Sequence, residues 1–186
     1  VEKWIAFADL YTEFDKAMNE QGLYDFDDMI FKVARELESN TSLRNELEEK
    51  YQYIMIDEFQ DTSISQFELI EKLVAGWEDA DGRSLFVVGD PMQSIYRFRE
   101  AEVGLFLRAR NFGINNRKLQ PITLSANFRS QQGIIDWVNK TFSQIMPDEE
   151  DSVSGAITFS PSVATHPMLN GDAVKIYPEF TGDPAA

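Results

Sequence analysis

Tyr53-Ile54-Met55-Ile56, followed at once by Asp57-Glu58-Phe59-Gln60-Asp61-Thr62, is an apolar run that stops at two adjacent carboxylates. A short continuous apolar run bounded this way predicts a buried parallel strand, with its polar residues at the carboxyl end. Leu85-Phe86-Val87-Val88 repeats the pattern and ends at Gly89-Asp90-Pro91. Ile122-Thr123-Leu124-Ser125 reads as a third strand.

Helical signals separate and flank these runs. Trp4, Ile5, Ala8, Tyr11, Phe14 and Met18 stand at helical spacing and predict an amphipathic helix over residues 2–20, ended by Gln21-Gly22. Tyr24-Asp25-Phe26-Asp27-Asp28 opens a second helix, with carboxylates in the first turn where the helix dipole favours them. Thr41 is a candidate cap for a short helix to about Lys50. Ser65 with Glu68 gives a capping-box signature before Leu69, Ile70, Leu73 and Val74. Further helices are expected over residues 101–110 and, capped by Ser130, through Ile134, Ile135, Trp137, Val138 and Phe142. Pro147 and the acidic residues 148–151 mark a linker, and residues 156–159 and 173–177 are candidate short strands. Alternating strands and helices predict an α/β fold with a mostly parallel sheet.

The composition, 43% hydrophobic with 14 phenylalanines, is enough for a core and excludes global disorder. No apolar run approaches the roughly 20 residues that span a bilayer, and no signal-peptide pattern opens the chain. The absence of cysteine rules out disulfides and thiolate metal sites and permits a cytosolic address. The single His166, in a polar stretch, reads as a solvated loop residue. A net charge of −15 argues at first against a nucleic-acid partner, because phosphate contacts need Lys and Arg. The distribution is uneven, however. Residues 1–82 carry −14 and residues 141–186 carry −6, whereas residues 83–140 carry +5. Acidic flanks of this kind are ordinarily solvated helix faces. Any phosphate-facing chemistry belongs to the middle third.

In open α/β sheets, ligands bind beyond the carboxyl ends of the strands. Three polar clusters fall at such places: residues 57–61, residues 89–93 and Asn127-Phe128-Arg129-Ser130. Two adjacent carboxylates after a buried strand suit nucleotide hydrolysis. One holds Mg²⁺, directly or through water, while the other orients or deprotonates the attacking water. Taken alone, an Asp-Glu pair is more often an ordinary polar strand end.

The joint arrangement is more specific. Residues 57–62 (Asp-Glu-Phe-Gln-Asp-Thr) resemble motif II, the Walker B element, of the UvrD/Rep/RecB superfamily 1 DNA helicases. Gly89-Asp90-Pro91-Met92-Gln93-Ser94-Ile95-Tyr96-Arg97-Phe98-Arg99 resembles their motif III, and Leu124-Ser125-Ala126-Asn127-Phe128-Arg129-Ser130 their motif IV. Residues 24–30 are similar to the segment preceding motif II in the same family. The resemblance covers roughly residues 10–145. Within the family, residues 90–99 and the following Ala101-Glu102-Val103-Gly104-Leu105-Phe106 look closer to RecB/AddA-type helicase–nuclease subunits.

The resemblance implies part of a RecA-like P-loop NTPase motor. It places the end of a helical 1B insertion at residues 1–22, the second half of motor domain 1A at 23–120 and the start of 2A with a linker at 121–186. It implies ATP and Mg²⁺ as ligands, with Asp57 supporting the metal and Glu58 activating water. Gln93 would sense the γ-phosphate and Arg129 would contact it, while the ring of Phe128 would stack on adenine. Tyr96, Phe98 and Arg99 would touch single-stranded DNA, where base–aromatic stacking tolerates any sequence. Tyr96 and Phe98 also admit a plain packing role, and Glu100 stands where these helicases commonly carry glycine, which weakens the case for Arg99.

No glycine here is followed by lysine, so the G-x-x-x-x-G-K-[ST] loop that grips triphosphate is not in these 186 residues. The expectation is an internal piece of an ATP-dependent 3′→5′ DNA helicase of repair or recombination, inactive by itself. Its parent would be bacterial, cytoplasmic and nucleoid-associated, with DNA ends and helicase–nuclease subunits as partners and no membrane. A piece of a sheet is expected to expose a strand edge or apolar face and to self-associate. The competing reading is a catalytically inactive interaction module that keeps the fold. An unrelated P-loop ATPase does not explain motifs III and IV together.

Overall fold

The computed structural model describes residues 2–95, 102–115 and 117–178, without the side chains of Glu2 and Asp27. The chain forms two compact units, residues 1–119 and 120–186, each described by itself.

The first unit begins with helix α1 (Glu2–Glu20), whose Trp4, Phe7, Leu10, Tyr11 and Phe14 are exposed. Gly22 (φ 66°) ends it in the left-handed conformation, and the Leu23 N–H donates back to the Met18 carbonyl at 2.9 Å. Helix α2 (Phe26–Ser39) starts at Asp25, which forms a reciprocal capping box with Asp28. The predicted helix start at residues 24–28 is therefore found, one turn of carboxylates included. Helix α3 (Thr41–Lys50) is capped by Asn40 rather than Thr41, because the Asn40 Oδ1 reaches the Leu43 N–H at 3.0 Å.

Strands β1 (Tyr53–Ile56) and β2 (Ser84–Val87) pair in parallel, Tyr53 opposite Ser84 and Ile56 opposite Val87. Helix α4 (Ile64–Leu73) lies in the crossover between them, and helix α5 (Val103–Phe112) follows β2. Helix α4 is capped by Ser63 with Gln66, not by Ser65 with Glu68. Both pairs satisfy the same four-residue pattern, and the Ser65 hydroxyl is already inside the helix, bonded to the Ser63 hydroxyl at 3.0 Å. The last predicted helix of this unit starts and ends two residues later than expected.

One hydrophobic core sits on one face of the pair of strands. Phe59, Phe67, Ile70, Val74, Trp77, Ala109 and Ile114 are buried in it, and Ile54, Ile56, Leu85 and Val87 pack against it. The expectation of strands buried on both sides is corrected here: Tyr53 is 68% and Met55 78% exposed. Hydropathy of a four-residue run cannot say which face has a cover, and among the described residues only one face has one. The exposed apolar face foreseen from the sequence is thus present, formed by Tyr53, Met55, Phe86 and Val88.

The second unit pairs β3 (Ala126–Gln131) in parallel with β4 (Val163–His166), with helix α6 (Gln132–Phe142) following β3 directly. The strand expected at residues 122–125 is displaced onto 126–131, and those expected at 156–159 and 173–177 are not formed. Ladder formation depends on a backbone partner, not on side-chain hydropathy. β4 offers its partner groups to Ala126 and Asn127, and the Val163 N–H donates to the Ser125 carbonyl at 2.7 Å. Gln131, one residue after Ser130, caps α6 through the Gly133 N–H. Ile135 and Ile157 are buried, and Phe142 meets Trp137 edge-on and Phe159 in a stack. The acidic stretch read as a linker lies within this unit. There Asp151 closes a turn by accepting the Val153 and Ser154 N–H groups, with a bridge from Asp151 to Ala156.

Candidate active site

Parallel pairing of β1 with β2 brings the two polar clusters side by side, because both strands end at the same edge. The ladder continues past the strands: the Val88 N–H donates to the Ile56 carbonyl at 2.8 Å and the Phe59 N–H to the Val88 carbonyl at 2.9 Å. Asp57 and Glu58 emerge, exposed, at this edge. The chain then turns sharply. Glu58 has φ 52° and ψ 38°, a left-handed conformation that disfavours a side chain with Cβ by about 1–2 kcal/mol. A 3₁₀ turn over Phe59–Asp61 follows, anchored by the fully buried Phe59 ring.

Asp57 accepts the Glu58 N–H through Oδ1 at 2.9 Å, and its Oδ2 makes no hydrogen bond among the described residues. At the end of β2, Asp90 caps a second 3₁₀ turn, Pro91–Gln93, by accepting the Met92 N–H at 3.0 Å. The Gln93 Nε2 donates to the other Asp90 oxygen at 2.6 Å. Between the two turns lies Gln60, 1% exposed. Its Nε2 donates to Glu58 Oε2 at 2.7 Å and to Asp61 Oδ2 at 3.3 Å, while its Oε1 accepts the Asp90 N–H at 3.0 Å. The Ser94 hydroxyl adds a second tie, donating to the Asp61 carboxylate at 3.1 Å and the Gln60 carbonyl at 3.3 Å. Asp57, Glu58, Asp90 and Gln93 thus gather at one strand edge.

Among the described residues, no group of three or more His, Asp or Glu side chains forms a metal cage. Asp57 offers one free carboxylate oxygen, which fits Mg²⁺ brought in with a nucleotide. That ion is commonly held by one or two carboxylates, waters and substrate phosphates rather than by an all-protein cage.

The second unit carries the other predicted residues. Phe128 is 73% exposed on β3, and Arg129 is exposed and forms no ion pair among the described residues. Their backbone is held firmly. Asn127 Oδ1 accepts the Arg129 and Ser130 N–H groups at 3.0 and 2.9 Å, and the Thr165 hydroxyl donates to the Asn127 carbonyl at 2.9 Å. His166, read from the sequence as a solvated loop residue, lies in β4 with Nε2 2.8 Å from the Phe128 carbonyl oxygen. Lying in polar sequence, β4 gave no hydropathy signal for this pairing. Tyr96, Phe98 and Arg99, the predicted DNA contacts, lie outside the described residues, as does Glu100.

The role of Gln60 escaped sequence reading. Its position two residues after Glu58 was visible, but its burial follows from the left-handed turn, which no residue type there announces. A glycine would have signalled such a turn, and Glu58 is not one.

The family comparison agrees with this geometry. Residues 1–112 match the family model for the UvrD/REP helicase N-terminal domain, and the chain belongs to that family. It is 34% identical over 142 residues to the exonuclease/helicase subunit RexA of Lactococcus lactis, covering 76% of this chain and 11% of that protein. It is 30% identical over 171 residues to an ATP-dependent helicase/nuclease subunit from Streptococcus mutans, covering 91% of this chain and 13% of that protein. With the corresponding helicase/nuclease subunit from Pelotomaculum thermopropionicum the identity is 38% over 154 residues, 75% of this chain and 12% of that protein. The chain therefore spans about an eighth of the length of these relatives. The expected closeness to helicase–nuclease subunits is found. No helix among the described residues is long and apolar enough to cross a membrane.

Proposed function

We propose that this chain is a segment of the ATP-driven motor of a 3′→5′ DNA helicase of the helicase–nuclease type, carrying the hydrolytic edge of its nucleotide site. One observation carries the reading: Asp57-Glu58 and Asp90–Gln93 stand side by side at the ends of two parallel strands, joined through Gln60. Residues 1–22 are then the end of a helical insertion and residues 23–120 the second half of a RecA-like motor domain. Residues 121–186 begin the next one.

Asp57 would hold Mg²⁺ through its free oxygen, and the ion would supply positive charge to the phosphates of the nucleotide. Glu58 keeps Oε1 without a hydrogen-bond partner among the described residues, placed to take a proton from the attacking water. Gln93 reaches the γ-phosphate once it leaves Asp90. Arg129 supplies positive charge where it develops in the transition state, and Phe128 offers an exposed ring to adenine. Tyr96, Phe98 and Arg99 follow Gln93 in sequence and would contact single-stranded DNA, so a γ-phosphate signal has a short path to the track. The grip on the triphosphate comes from a P-loop outside these 186 residues, and the segment alone is inactive.

The test is DNA-stimulated ATP hydrolysis by the full-length protein. Glu58→Gln is expected to lower turnover by about 100-fold or more while ATP binding persists, since a general base contributes about 10²–10⁴. Turnover at the wild-type rate would contradict the assignment.

A further inference from the structure

We infer that Gln60 is a positioning residue that sets the orientation of Glu58 and couples it to Gln93. The inference deepens the hydrolytic reading of this edge and rests on it. Gln60 is the most deeply buried polar side chain in the described structure, and both ends of its carboxamide are used.

The orientation of the amide is fixed by chemistry. Its Oε1 faces a backbone N–H, that of Asp90, which only donates. Its Nε2 faces the carboxylates of Glu58 and Asp61, which when ionised only accept. A flipped amide would set oxygen against two carboxylates and N–H against N–H. The carboxamide therefore has one stable state, and it ties Glu58 Oε2 down and leaves Oε1 for water. A carboxylate on a left-handed residue at a strand end would otherwise sample several rotamers, and misplacement by about 1 Å costs on the order of 10²-fold in rate.

The same side chain continues a chain of hydrogen bonds. It runs from Glu58 through Gln60 to the Asp90 backbone, and from the Asp90 carboxylate to Gln93. When Gln93 exchanges Asp90 for a γ-phosphate, Asp90 loses one of its restraints. The Asp90 N–H that holds Gln60 then moves, and Glu58 moves with it. Gly89 fits this arrangement, because a Cβ there would lie 2.5 Å from Gln60 Oε1.

The test uses the full-length protein and its DNA-stimulated ATPase. Gln60→Met keeps the volume and removes all three side-chain hydrogen bonds. It is expected to lower kcat about 10- to 100-fold, with KM for ATP within about twofold and the stimulation by single-stranded DNA reduced. Gly89→Ala, which displaces the carboxamide and touches no reacting group, is expected to lower kcat in the same direction with KM unchanged, and it serves should Gln60→Met not fold. A purely structural role would instead lower thermal stability and ATP affinity together. Wild-type kcat in the folded variants, or a kcat loss matched by loss of ATP affinity, would overturn the inference. Glu58→Gln in parallel separates the two levels. If it abolishes turnover while the Gln60 and Gly89 variants turn over normally, the hydrolytic reading stands and this inference fails. If Glu58→Gln itself turns over normally, both fail.

Discussion

Glu58 shows how much a single residue is asked to do. Its left-handed backbone is unfavourable for glutamate, yet the turn persists because Phe59 is locked into the core and Gln60 is bonded on both sides. Backbone strain that the surroundings over-determine is characteristic of functional positions. Gly113 is the structural counterpart, where the unusual conformation serves only the chain path. It ends α5 at φ 86° and ψ −170°, a region essentially confined to glycine, and a Cβ there would run into the Arg117 carbonyl. Gly113→Ala is expected to destabilise the chain by about 2 kcal/mol or more in urea denaturation. Gly22→Ala, at positive φ with open space around it, should cost about 1 kcal/mol. Equal losses would show that the collision at Gly113 is relieved by a shift of the loop.

The elements were legible in proportion to their periodicity. α1 and β1 fall where the sequence places them and β2 one residue earlier, since helical spacing over a long window and a short apolar run before carboxylates are both strong signals. β3 was displaced and β4 missed because β3 is largely polar, β4 has only Val163 and Ala164 as apolar residues, and their pairing rests on backbone groups and on Thr165 and His166. Caps slipped by one or two residues wherever two competent side chains stood close together. The candidate site residues were picked out through family resemblance and remain proposals, while the link from Glu58 to Asp90 through Gln60 was not visible in the sequence. A second local feature invisible in the sequence is the loop before β2. There the Glu78 N–H, the Arg83 N–H and the Arg83 guanidinium all donate to Asp81, and these bonds, the Glu78 one foremost, lower its pKa to about 2 from 3.8. Arg83 and Arg117 flank the Trp77 ring from this clasp. Because the folded pKa is depressed, the contribution of Asp81 is close to complete above about pH 4.5 and is lost as pH falls towards 2. The stability difference between wild type and Asp81→Asn, followed by denaturation against pH, is expected to be constant above about pH 4.5 and to shrink below it. A difference unchanged down to about pH 2.5 would contradict the clasp.

At the scale of the molecule, charge and exposure are unevenly distributed. The acidic total of −15 conceals a basic middle third that contains the end of β2, α5 and the segment with Phe128 and Arg129. The apolar sheet face of Tyr53, Met55, Phe86 and Val88 is exposed in these 186 residues, which span about an eighth of the relatives' length. The claim that matters most is that the paired strand ends carry the hydrolytic half of an ATP site. Its most direct test is a crystal structure of the full-length protein with ADP, Mg²⁺ and a γ-phosphate transition-state mimic such as aluminium fluoride. The expected result is the Asp57 carboxylate at the metal or at one of its waters, and Glu58 Oε1 within about 3 Å of the attacking water. Gln60 should still bridge to the Asp90 N–H. Nucleotide and metal bound away from residues 57–60 and 89–93 would contradict it.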